Sequence, residues 1–495
     1  MFIKIKNNVL FRNYGTFGYL TDTRNYGYEY AINDNLRIGD KIVSQSGAIF
    51  LSVVGRSPRT LSDLVKEISE LYPGTNIEIL KTDARDFFRV LEQDGFLVSG
   101  NTIRECIDKD TGFSYKHLNL RSVGKNNTSS IQRSGKSTQD FFKEYFEVEY
   151  VLTNIHVEIT SRCNERCVHC YIPHENKNDD IEPAVFYDIL DQCKDMKLLH
   201  LTLSGGEPMM HKHFCDFLKS CREHDLSVNV LSNLTVLNDS IIDELKKNPL
   251  LGVQVSLYSM DHMVHDSITK MKGSFIKTIN GILKLIKNDI PLQISCPIMS
   301  ENKYHYDDVK KWAEGYNLHV GDDFVIIAQY NHATDNIKGR LAVNEVKEVM
   351  RHIVTGNNQY LENLARDANE KQMTDPEDIV CSVCNSSICI TEKGNVYPCA
   401  GWQDYVVGNI KKDSLKEIWE TSEKIRYLRG LRKKDFPQCI QCPDKQFCTM
   451  CMVRNANEHP QGDPLSVNKY FCSIARVNGE IFMEHKKQLE ESPRI

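Results

Sequence analysis

Apolar and polar residues alternate in short runs at the start of the chain, at Phe2-Ile-Lys-Ile-Lys and Tyr28-Glu-Tyr-Ala-Ile. That is the two-residue period of half-buried strands. Three stretches with helical spacing follow, around Gly47-Ala-Ile-Phe-Leu-Ser-Val-Val, around Thr60-Leu-Ser-Asp-Leu-Val-Lys-Glu-Ile, and from Asp83 to Asp94, and the region closes with Gly95-Phe-Leu-Val. Short strands and three helices predict a small winged-helix-like module over residues 1–100. The stretch from Ser122 to Ser137 is polar and rich in Ser, Asn, Lys and Gly. It predicts a flexible linker within 101–149, so that the first module is tethered separately.

From residue 150 the pattern changes. Apolar runs at Ile155–Ile159, Leu199–Leu203, Ser227–Leu231, Val253–Leu257, Leu292–Ser295 and Phe324–Ile327 alternate with helical patterns such as Ala184-Val-Phe-Tyr-Asp-Ile-Leu and Phe275–Ile286. Six strand-helix units with apolar strands predict an α/β fold, a parallel sheet covered by helices over 150–335. Sites in such sheets lie at the carboxyl ends of the strands. Bridging helices are expected over 336–380, a cysteine-rich domain over 381–475, and a terminal helix over 476–495.

Composition narrows the function. The net charge of −6 over 495 residues argues against partners held by a general basic field, so no nucleic acid and no acidic membrane surface is expected. The start of the chain lacks the basic-then-apolar order of a secretion signal, and no apolar run approaches the roughly 18 residues of a membrane span. A cytoplasmic protein is expected. Its seventeen cysteines then serve metal binding better than disulfides, because a reducing cytosol keeps thiols reduced.

The strongest chemical signal is Glu158-Ile-Thr-Ser-Arg-Cys-Asn-Glu-Arg-Cys-Val-His-Cys-Tyr171, which sets Cys163, Cys167 and Cys170 in C-x3-C-x2-C spacing just after the first strand. Three thiolates on one loop can hold three irons of a [4Fe-4S] cubane and leave the fourth open. A zinc knuckle is the alternative for a triplet taken alone. After the second strand, Ser204-Gly205-Gly206-Glu207-Pro208 offers a turn that a Cβ would obstruct and an anionic acceptor.

Together these motifs resemble the radical SAM superfamily. The resemblance implies a partial (β/α)6 barrel of the TIM type, with S-adenosylmethionine (SAM) on the open iron. It also implies that Gly205, Gly206, Glu207 and Pro208 receive the SAM ammonium group. Ser232, Asn233 and Ser256, at the ends of later strands, correspond by position to residues that hold its carboxylate and ribose. Tyr171 and His169 are rings that could pack on the adenine. An external electron donor, such as flavodoxin or ferredoxin, is the implied redox partner.

The tail refines this reading. Cys384, nine residues, Gly394, four residues and Cys399 precede Cys439-x2-Cys442-x5-Cys448, Cys451 and Cys472. The series resembles the SPASM extension, and the resemblance implies two auxiliary [4Fe-4S] clusters. One would take Cys381, Cys384, Cys399 and Cys451; the other would take Cys439, Cys442, Cys448 and Cys472. Two residues, where the family has three, separate Cys448 from Cys451. Cys389 is a spare that could replace Cys384, and paired zinc ribbons are the alternative. Cys106, Cys193, Cys215, Cys221 and Cys296 fit no cluster and are expected in the core, with Cys296 the one that could face substrate. The charged runs near Lys411 and Lys486 are expected as solvated helix faces.

The first module resembles the recognition element of enzymes that mature ribosomally made peptides, where a leader peptide adds as a strand. A winged-helix module for DNA or protein contacts is its alternative. The expectation is a radical SAM oxidoreductase that binds a precursor peptide through its leader and forms a Cys sulfur-to-carbon thioether. Carbon-carbon crosslinking, epimerisation, protein oxidation of the sulfatase-maturase kind, and a non-enzymatic iron-sulfur scaffold are the other readings.

Overall fold

The computed structural model describes residues 1–22, 39–112, 115, 150–321, 323–356, 365, 375–381 and 383–491. The expected strand Tyr28–Ile32 and the polar linker Ser122–Ser137 lie outside them.

Strands β1 (Phe2–Ile5), β5 (Arg59–Thr60) and β6 (Leu97–Gly100) form one small antiparallel sheet in the order β5-β1-β6. A second sheet takes β2 (Leu10–Asn13), β3 (Phe17–Thr21) and β4 (Asp40–Ser44). Helices α1 (Gln45–Ser52), α2 (Leu61–Leu71), α3 (Ile77–Gln93) and α4 (Ile103–Asp108) complete the unit. Each starts where a side-chain oxygen takes up a free backbone N–H: Ser44 from Gly47, Thr60 from Asp63, Asn76 from Glu78 and Thr102 from Glu105. Helix α4 extends the unit past residue 100 by burying Cys106 against β6, its Sγ 3.4 Å from the Val98 carbonyl oxygen. β2 and β3 escaped the sequence analysis because β3 is buried on both faces, which erases the alternation.

The unit is docked on the barrel, not merely tethered to it. Arg12 donates to the Leu198 carbonyl from Nε at 3.1 Å and Nη2 at 3.0 Å, and pairs with Asp225 at 2.8 Å. Arg56 pairs with the other oxygen of Asp225, and Phe17 and Tyr19 pack on Leu199. These contacts lie before β8 (His200–Gly205) and β9 (Ser227–Ser232), at the end of the barrel away from the cysteine loop.

A nine-stranded sheet forms the rest, ordered β12-β11-β10-β9-β8-β7-β13-β14-β15. β7 (Asn154–Thr160), β8, β9, β10 (Leu251–Ser256), β11 (Leu292–Ser295) and β12 (Val320–Gly321) run parallel. In β7, Ile155, Val157 and Ile159 join the core with Phe186, Ile189 and Leu190 of the covering helix Pro183–Asp195. His156 and Glu158 alternate with them and face the barrel interior. The sixth strand is Val320–Gly321 and not Phe324–Ile327. The shorter segment pairs with Ile294–Ser295, and the segment after it is irregular chain in which Ile326 is buried and Phe324 and Ile327 pack partly buried against the core. Tail strand β13 (Ser387–Ile390) pairs in parallel with β7, and β14 (Asn395–Tyr397) and β15 (Gly408–Asn409) follow antiparallel. The helix Val343–Gly356 precedes the tail, and the last helix spans Lys469–Glu491. Among the described residues no helix is long and apolar enough to cross a membrane.

Candidate active site

β7 ends at Thr160, and its loop carries Cys163, Cys167 and Cys170, all partly accessible. The end of β8 is stitched to this loop: Gly206 N–H donates to Thr160 O at 2.8 Å, and Glu207 N–H to Arg162 O at 2.8 Å. So close an approach requires glycine. A Cβ on Gly205, whose φ is +131°, would overlap the Thr160 carbonyl, and one on Gly206 would overlap the Arg162 carbonyl. The glycines make room for the cysteine loop's own backbone.

Glu207 is fully buried. One oxygen accepts from Ser232 Oγ at 2.8 Å and Met209 N–H at 3.1 Å; the other accepts from Asn233 N–H at 2.8 Å. Pro208 opens the short turn that supplies Met209. Asn233 Nδ2 donates to Asn164 Oδ1 at 3.1 Å, and Asn164 Nδ2 to Thr235 Oγ1 at 2.6 Å. The ends of β8 and β9 and the cysteine loop thus form one hydrogen-bonded body. Ser256 ends β10, half-buried beside Tyr258. The Tyr258 hydroxyl lies 3.3 Å from His169 Nε2, and their rings meet edge to face at 5.1 Å. The Tyr171 hydroxyl donates to Glu158 Oε1 at 2.7 Å.

Burial pushes Glu158, Glu165 and Glu207 up to about 7, Cys163 up to about 11, and Cys167 well above its ordinary range. Lys177 opposes this at Cys163 and Glu165. Glu165 Oε1 is buried without a partner. Three thiols gathered on one loop beside buried acids call for cations. The donor set of sulfurs beside buried carboxyls therefore fits an iron-sulfur cluster carrying a cationic ligand. Among the described residues no three His, Cys, Asp or Glu side chains gather tightly enough for a single metal ion.

For Glu158 the shift has a measurable sign. Its folded pKa of about 7 exceeds the reference 4.5, so folding takes up a proton between those values and stability falls as pH rises through them. Metal-free Glu158→Gln is expected to lose that slope and gain about 3 kcal/mol on wild type at pH 8 relative to pH 4.5. Parallel pH slopes in thermal melts of the two proteins would contradict it.

The tail cysteines fall into two groups. Cys381 and Cys384 lie within electrostatic reach of Cys399, and Cys381 and Cys399 within reach of Cys451. Cys439, Cys442, Cys448 and Cys472 line a cavity of about 530 Å3. The short spacing after Cys448 still sends Cys448 and Cys451 to different groups. Cys389 is fully buried on β13, opposite His156 of β7, and its thiol is raised by burial and then by Glu158. Cys296 is also fully buried, its Sγ 3.9 Å from Tyr258 O. Cys106, Cys193 and Cys221 are in the core, and Cys215 is partly accessible.

Sequence reasoning passed over Asn164, Glu158 and Gln403. Glu158 had a signal, a lone acid in the apolar run Ile155–Ile159.

Residues 157–313 match the profile of the Radical SAM superfamily, and 381–443 that of SPASM, an iron-sulfur cluster-binding domain. The chain is 26% identical over 340 residues to the antilisterial bacteriocin subtilosin biosynthesis protein AlbA of Bacillus subtilis, covering 64% of this chain and 70% of that one. It is 22% identical over 306 residues to the PqqA peptide cyclase of Methylocella silvestris, covering 59% and 79%. Streptococcus suis SuiB bound to precursor peptide SuiA superposes with TM-score 0.58 at 14% identity, covering 94% of this chain and 100% of that one. AdoMet-bound anSMEcpe gives 0.54 at 16%, covering 68% and 98%. At these identities the superpositions show the fold.

Proposed function

Taking as premise that the chain carries a radical SAM domain joined to a SPASM iron-sulfur domain, we propose that this enzyme is a maturase of a ribosomally made peptide. The cluster and SAM, when bound, supply a 5'-deoxyadenosyl radical able to take a hydrogen atom from the peptide. Cys163, Cys167 and Cys170 would hold the SAM-binding cluster. The braced Gly205-Gly206-Glu207 turn, Ser232, Asn233 and Ser256 would hold SAM, with Tyr171 beside the cluster loop. A thioether between a cysteine sulfur and a carbon is the favoured product. It would be a net loss of two hydrogens: one would go to the radical and the other would leave as a proton, with an auxiliary cluster on Cys381, Cys384, Cys399 and Cys451 supplying the electron acceptor.

The observation that carries the peptide reading is the edge of β4. β2 faces the barrel through Arg12, whereas no described strand pairs with the outer edge of β4. β4 is tied to the end of α3 by the Lys41–Asp94 ion pair. An extended leader can add there, with main-chain bonds giving affinity and side-chain pockets giving selectivity. The peptide-modifying relatives support the same reading.

The test is mass spectrometry of a short peptide encoded beside the gene, co-expressed with the enzyme anaerobically in deuterated water. Loss of two hydrogens, with fragmentation blocked between a cysteine and its partner, is expected. One solvent deuterium fixed at a Cα without hydrogen loss would mean epimerisation, and an untouched peptide would overturn the peptide reading. Deleting residues 1–112 is expected to weaken leader binding by at least about tenfold, 1.4 kcal/mol, with SAM cleavage retained; equal affinity in a titration would assign the unit another task. With eight of the tail cysteines assigned to two clusters and three cysteines on the loop, reconstituted enzyme is expected to hold about twelve irons. Zinc in their place would mean ribbons.

A further inference from the structure

Glu158 is a buried acid to which the proposed chemistry gives no part. It is 1% exposed, and both its oxygens accept from neutral donors on different loops. Tyr171 Oη donates to one at 2.7 Å, and Gln403 Nε2 to the other at 2.6 Å. Tyr171 directly follows Cys170. Gln403 Nε2 also donates to Ala400 O at 3.0 Å, and Ala400 directly follows Cys399. Among the described residues, the other charged or titratable groups facing Glu158 are Glu392, Cys389, Cys399 and Tyr330, none of them a cation.

A carboxyl buried without a counter-ion costs stability, and an apolar side chain of similar volume would be the easier occupant. Its bridging position gives it a use in geometry. β7 and β13 are zipped by backbone pairing only as far as Val157 and Ile390. Glu158 is the next residue, so the side-chain bridge continues the zipper where backbone pairing stops. On one side it reaches the loop of Cys170, on the other the loop of Cys399.

We propose that Glu158 is a positioning residue that locks the SAM-cluster loop to the loop of the first auxiliary cluster through Tyr171 and Gln403, fixing the spacing between the two iron sites. The inference rests on the two domains and on Cys399 as an auxiliary ligand, not on the peptide reading, and its test uses no peptide. Electron transfer falls steeply with distance, so a lock of this kind would set how readily an electron left by substrate reaches the auxiliary iron.

The test uses full-length reconstituted holoenzyme carrying Glu158→Leu, Glu158→Gln, Gln403→Leu, or the first and third together. The readouts are the electron paramagnetic resonance of the reduced clusters, including the magnetic coupling between them, and the midpoint potential of each. Glu158→Leu is expected to weaken the coupling and shift the auxiliary potential. Glu158→Gln is expected to stay near wild type, because the Gln403 amide can turn to accept from it. Gln403→Leu should reproduce the Glu158→Leu spectrum, and the double variant should be no worse than either single one. Wild-type spectra in Glu158→Leu, additive effects in the double variant, or equal damage in Glu158→Gln and Glu158→Leu would each overturn the proposal. If Glu158→Leu fails to fold, Gln403→Leu carries the same expectation.

Discussion

Replacing Cys163 with alanine is expected to reduce SAM cleavage to background. The loop holds three sulfurs, and an iron left without a protein ligand is useful only while the other three are anchored. With two thiolates the cluster has no fixed open position, so SAM has no defined chelation site. The loss should be local. Cys163 lies past the end of β7, the barrel core is built from Ile155, Val157 and Ile159 with their covering helices, and the tail cysteines gather elsewhere. About four of about twelve irons should be lost, with the auxiliary signals kept. Continued formation of 5'-deoxyadenosine in Cys163→Ala would remove the triplet from the chemistry and the radical SAM mechanism with it.

Much of the barrel was legible because its strands are buried on the side facing the helices, which leaves an apolar residue at every second position, as at Ile155, Val157 and Ile159. Five of the six expected strands match within two residues at each end. The sixth was misplaced because Phe324–Ile327 is apolar for another reason: it packs as irregular chain, while the pairing falls to Val320–Gly321. The cysteine spacings were legible because ligands on one short loop must sit close in sequence. What stayed hidden was long-range. The Arg12 and Arg56 grip on Asp225 joins residues far apart in the chain, and a basic residue in an edge strand gives no sign of its partner. At Glu207 the sequence shows an acid following a glycine turn, but not its complete enclosure by Ser232, Asn233 and Met209. That Gly205 and Gly206 admit the neighbouring loop stayed hidden for the same reason, because only the folded register of β7 against β8 shows it.

That register gives the second large effect. Gly206→Ala is expected to weaken SAM binding at least tenfold, about 1.4 kcal/mol, while leaving the fold intact. The added Cβ would sit 2.5 Å from both Ser161 O and Arg162 C and closer still to Arg162 O. All three atoms are backbone and cannot swing aside as the tip of a side chain can. Relief requires either the end of β8 or the cysteine loop to move, and Arg162 is one residue from Cys163. Moving β8 breaks the bonds of Gly206 N–H to Thr160 O and Glu207 N–H to Arg162 O and withdraws Glu207 from Ser232 and Asn233. Moving the loop displaces a cluster ligand. Gly430→Ala is the control, because nothing lies within 4 Å of its would-be Cβ and a surface change of that kind stays within about 0.5 kcal/mol. Titrating SAM into each reconstituted variant, with the cluster's resonance as the reporter, separates the cases. Equal affinity in Gly206→Ala and Gly430→Ala would mean that the stitched turn does not shape the SAM site.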